Sequence, residues 1–131
     1  MRVAKSGLLV VAALLAASPA SAQTPLAIHI HSDGAMFQVL VSPGTVGADS
    51  FVLQLMAGDG TLLDVREATL FLTPPKPGTP PLQRKATQGA DRYWHVTDVP
   101  IPDPGRWHMR IDAVTDFRKI TLEDDIDVPA Q

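Results

Sequence analysis

The chain of 131 residues contains no cysteine. That absence excludes disulfide staples, thiol nucleophiles, thiolate zinc sites and cysteine-ligated copper centres. Any fold must rest on a hydrophobic core, and any metal must be held by His, Met, Asp or Glu. Aromatic residues are scarce, at 5% of the chain, and basic residues are outnumbered by acidic ones, eleven against fourteen. Nucleic acid needs a basic footprint interleaved with aromatic platforms, and this chain offers neither. No glycine-rich phosphate loop links a strand to a helix, so nucleotide binding has no support. The longest uncharged apolar run, Gly7 to Ala17, has eleven residues, whereas a bilayer-spanning helix needs roughly 20.

That short run has a different meaning from its surroundings. Arg2 and Lys5 precede it and Ala20-Ser21-Ala22 follows it, which is the basic, apolar and small-residue order of a cleavable Sec-type signal peptide. A cut after Ala22 leaves residues 23–131 as one domain in the periplasm, 109 residues long and no longer membrane-bound. Loss of Arg2 and Lys5 leaves nine basic residues against fourteen acidic ones, a net charge of −5 with histidine neutral. Some 109 residues suffice for one hydrophobic core and not for two.

Twelve prolines and nine glycines punctuate the chain, all but Pro19 and Gly7 in this mature region, and no window there sustains helical spacing of apolar residues. Alternation with period two recurs instead. Leu26 to His31 puts Leu26, Ile28 and Ile30 on one face, with Ala27, His29 and His31 on the other. After Ser32-Asp33-Gly34 come Ala35 to Val41, then Ser50 to Ala57, then Val65 to Leu72, each alternating in the same way. The segment Pro74 to Pro81 cannot be a central strand, because proline has no amide donor; it reads as an extended crossing between sheets. Leu82 to Thr87 reads as a polar edge strand, followed by strands over Arg92 to Thr97, Arg106 to Val114 and Arg118 to Val128. Asp124 falls in line with Leu122 and Ile126, which predicts a bulge or a departure from the core at that point. Seven to eight short strands separated by turn residues predict an all-β, immunoglobulin-like two-sheet sandwich, with a barrel as the alternative.

No serine lies in a nucleophile-elbow context and four scattered histidines do not make a triad, so the sequence predicts no enzyme. The acidic run Glu123-Asp124-Asp125 with Asp127 lacks the glycine and ligand spacing of a calcium loop. His29 and His31 carry a clearer chemical logic, because residues two apart on a strand point the same way and their imidazoles can converge on one ion. Met36 lies just beyond the turn, where a hairpin brings its thioether close. Imidazole with thioether suits copper, the thioether favouring Cu(I). His108 joins as a fourth candidate only if its strand lies beside the first. His95 is the weakest candidate, Met109 reads as core and the face of Met56 is undecided.

His29-Ile30-His31-Ser32-Asp33-Gly34-Ala35-Met36, Val41-Ser42-Pro43-Gly44-Thr45-Val46-Gly47 leading into Phe51, and the Leu70 to Pro75 strand with its proline-rich exit form a wider pattern. Pro104-Gly105-Arg106-Trp107 running into Arg110-Ile111-Asp112-Ala113, and Asp116-Phe117-Arg118-Lys119-Ile120-Thr121-Leu122-Glu123, complete it. With these segments the chain resembles the periplasmic C-terminal domain of copper-resistance protein D and the related YtkA-like domains. The resemblance implies an immunoglobulin-like sandwich in the periplasm, a copper cofactor or cargo, and an inner-membrane copper-transport protein as partner. A metal-free interaction module docking on such a membrane partner is the alternative expectation.

Overall fold

The computed structural model describes residues 25–32 and 34–130; the expected signal peptide with its cut after Ala22, and Asp33 of the first turn, lie outside the described residues. Nine strands follow one another: β1 (Leu26–Ser32), β2 (Ala35–Ser42), β3 (Gly47–Ala57), β4 (Val65–Thr73), β5 (Leu82–Lys85), β6 (Thr87–Gln88), β7 (Trp94–Ile101), β8 (Gly105–Thr115) and β9 (Lys119–Val128). They form two antiparallel sheets, a five-stranded one in the order β1-β2-β3-β7-β6 and a four-stranded one in the order β5-β4-β8-β9. The described residues contain no helix, and accordingly none long and apolar enough to cross a membrane.

The expected alternation is what closes this sandwich. Phe37, Val39 and Val41 of β2, and Phe51, Leu53 and Leu55 of β3, are at most 2% exposed and face Leu70, Leu72, Trp107, Met109 and Ile111 of the other sheet. Taking β2 to β9 as strands A, B, C, C′, D, E, F and G, the two sheets read ABED and GFCC′, the immunoglobulin arrangement. The ninth strand, β1, is an addition on the open edge of β2. It buries Ile30 and half-buries Leu26 and Ile28 beneath it, while His29 and His31 stay exposed.

Three details differ from the expectations. The proline-rich segment does not cross between sheets: β4 and β5 on either side of it pair with each other, Leu72 opposite Leu82. The crossing falls at Ala86, between β5 in one sheet and β6 in the other, where the Ala86 amide donates to the Ala68 carbonyl at 2.9 Å. The segment expected as one polar edge strand is therefore two, and the total is nine. Secondly, β3 begins at Gly47 and not at Ser50, which brings Asp49 into the strand at 1% exposure. Thirdly, β9 pairs with β8 without any register shift, Met109 opposite Asp124. Asp124 is tolerated in line with the core because β9 is an edge strand and the carboxylate reaches solvent.

Where alternation does break, a bulge restores it. Asp49 pairs with Val99 but Phe51 pairs with Val96, so β7 carries one extra residue around Asp98, whose φ is 54°. The left-handed residue lets Val96 and Val99 both face the core across an odd spacing.

Candidate metal site

The outer face of the five-stranded sheet is set by the pairing of its first three strands. Ala27 stands opposite Leu40, which stands opposite Val52; His29 opposite Gln38 opposite Gln54; His31 opposite Met36 opposite Met56. These nine positions hold no Asp, Glu, Lys or Arg. Directly opposed residues in an antiparallel pair share a face, with Cβ atoms about 4.5–5.5 Å apart. The hairpin therefore does place Met36 against His31, as its position beyond the turn suggests.

The two imidazoles stack, with ring centroids 6.5 Å apart and planes 19° from parallel. Metal–imidazole bonds of about 2 Å put two rings on a tetrahedral ion at centroids about 5 Å apart. Both residues are exposed, so packing does not hold either ring at that separation. Met36, half-buried on β2 between β1 and β3, stands in the middle of the row. Imidazole and thioether form a donor set for a soft ion, and among the described residues no carboxylate joins His29, His31 and Met36 in these rows. Among the described residues no group of three His, Asp or Glu is placed to hold a metal; the row His31, Met36 and Met56 differs in carrying two methionines beside an imidazole.

His108 does not belong to this set. Its strand β8 lies in the other sheet, between β4 and β9, and its side chain leaves the outer face there. Its ring is spoken for by carboxylates: Nδ1 is 2.8 Å from Asp125 and Nε2 is 2.7 Å from Glu123. These two hydrogen bonds, Asp125 first, raise the His108 pKa above its ordinary 6.5. Its neighbours on that face are charged, with Arg106 on Asp127 and Arg110 stacked 4.1 Å over Phe71. His95 sits on the correct sheet but opposite Val52, three strands from β1, and its Nε2 contacts both oxygens of Asp91 at 2.9 and 3.0 Å. Met109 is buried, as its alternation requires.

The residue that sequence reasoning left open is Met56. Its half-buried side chain lies across from Met36, and its backbone pairs on the other side with Leu62. Parity with Gln54 and Val52 was the signal for its outward face; its partner strand was not readable. A cleft of ≈ 300 Å³ lined by Leu63, Asp64, Ile120 and the Thr115 to Arg118 turn opens at the same end of the sandwich. Phe117 beside it is 94% exposed.

Comparison of the chain with family models, with curated proteins and with solved structures finds no match.

Proposed function

We propose that this chain is an exported, periplasmic β-sandwich protein that captures a copper ion on the outer face of its five-stranded sheet and passes it on. The observation that carries this reading is the pairing of His31 with Met36, with the His29 ring stacked beside His31. Three soft or borderline donors thus share one uncharged, solvent-facing patch. His29 and His31 act as the anchoring imidazoles and Met36 as the sulfur ligand. Such a site exchanges its ion readily, because the donors lie on an open strand and both imidazoles are exposed. Capture and hand-over fit that openness better than redox catalysis, which needs a constrained geometry. The resemblance to copper-resistance domains supplies the physiological frame, with an inner-membrane copper transporter as recipient or donor.

The test is metal content. Protein purified after expression of the full chain with added copper is expected to carry about one copper ion per chain. His29→Ala with His31→Ala should remove it while leaving the unfolding midpoint unchanged, since both rings are exposed. Copper retained in the double variant rejects the site.

A second reading, metal-free docking on an inner-membrane partner, is favoured by the bare phenyl ring of Phe117 beside its cleft. Capture of the same membrane protein with and without chelator, abolished by Phe117→Ala, would support it over copper delivery.

A further inference from the structure

The third strand brings a second sulfur to the patch. Met56 stands opposite Met36 in the β2–β3 register, as His31 does in the β1–β2 register. The row His31, Met36, Met56 therefore runs straight across three strands, with Met36 in the middle. Adjacent strands lie about 4.8 Å apart, so His31 and Met56 are separated by about 9.5 Å of backbone. An ion seated over Met36 lies midway between them, within reach of an imidazole from one side and a flexible thioether from the other. His29 approaches along β1 from the neighbouring row. Leu62, paired with the Met56 backbone, stands on the outer side of that thioether and is itself half-buried.

We infer that Met56 is a copper ligand, and that the resulting set of two imidazoles and two thioethers makes the site selective for Cu(I). The inference rests on the proposed copper reading and deepens it. Its independent content is the identity of the fourth donor and the oxidation state that follows. Two neutral thioethers with two neutral imidazoles add no negative charge, which suits a monovalent soft ion; Cu(II) and Zn(II) favour harder or anionic donors. The nine outward positions of β1, β2 and β3 reinforce this, because no carboxylate stands among them to compensate a second positive charge. The competing explanation is that Met36 and Met56 merely cover the backbone of a neutral sheet. It predicts that leucine, close in volume and equally apolar, replaces either without consequence.

The experiment is a competition titration of the protein against a Cu(I)-specific chelator, run on wild type, Met56→Leu, Met36→Leu and the His29→Ala, His31→Ala double variant. Wild type is expected to bind one Cu(I). Loss of a mere supporting group typically weakens a metal site by about 10–100-fold, so loss of a direct sulfur ligand should weaken Cu(I) by about tenfold or more. Cu(II) affinity of Met56→Leu should stay within about twofold of wild type, since sulfur contributes little to that ion. X-ray absorption of the Cu(I) form should show two sulfur scatterers in wild type and one in Met56→Leu. Wild type that binds no Cu(I) defeats the copper reading itself. Wild type that binds Cu(I) with Met56→Leu equal to it, and one sulfur scatterer in both, defeats the role of Met56 alone. An unchanged urea midpoint in Met56→Leu separates a lost ligand from a lost fold.

Discussion

Replacing Asp49 with asparagine should stabilise this protein, and the gain should depend on pH. Asp49 lies on β3 beside the bulge opposite Val99, is 1% exposed, and neither carboxylate oxygen has a hydrogen bond of good geometry. Burial raises its pKa above 3.8, and the Gly44 amide offsets only part of that. A buried unsatisfied polar group costs about 1–3 kcal/mol, and a charged one more. Asparagine keeps the shape and one acceptor for Gly44 but still buries an amide, so the net gain should be about 1–2 kcal/mol once Asp49 is ionised. The sign follows from proton binding: the folded chain holds the Asp49 proton to higher pH than the unfolded chain does. Stability therefore falls as pH rises from 3.8 through the raised folded value, and the penalty is fully present above it. Urea unfolding at about pH 8 should show the Asn variant with a midpoint higher by about 1 M, given slopes of about 1–3 kcal/mol per molar urea. The advantage should shrink as the pH is lowered toward 3.8, where wild-type Asp49 is neutral in both states. A variant no more stable than wild type at about pH 8, or an advantage independent of pH, would falsify the reading of Asp49 as an uncompensated buried carboxylate.

Two further outcomes concern the fold directly. Trp107→Phe should cost about 2–3 kcal/mol, because the fully buried indole donates from Nε1 to the Asp103 carbonyl at 3.0 Å and the smaller ring leaves both a gap and an orphan acceptor; equal denaturation midpoints would contradict this. His108 titrates above 6.5 because Asp125 and Glu123 hold its charged form. Its contribution is complete below 6.5 and lost as pH rises through the folded value. With a side chain 44% exposed, the pair is screened, and His108→Gln should cost no more than about 0.5–1 kcal/mol at low pH and nothing at high pH. An NMR titration of His108 at or below 6.5 would overturn that assignment.

Much of the sandwich is legible in the chain because strand parity is local. Phe37, Val39 and Val41 announce a buried face whatever strand lies beside them, and the same holds for Trp107, Met109 and Ile111. Parity also sets His29 and His31 on one outer face. Asp49 is hidden for a different reason: Gly47 and Ala48 are too small to mark a buried face, so alternation alone starts the strand at Ser50. The proline-rich loop misled because a break in hydrogen-bonding capacity marks a connection without saying which sheets it joins. Ala86, the true point of crossing, has a side chain too small to stand out in any pattern.

Alternation of side chains along an extended backbone is fixed by covalent geometry, and from it the sequence alone determined which residues face in, which face out, and that two imidazoles stand side by side. Which strand lies next to which depends on contacts between residues far apart in the chain, and these alone put Met56 beside Met36 and carried His108 to the opposite surface. The candidate ligand set is therefore partly local and partly tertiary. The His29–His31 pair comes from spacing along one strand and Met36 from the hairpin that follows it, whereas Met56 comes from the register that packing the common core imposes on the third strand.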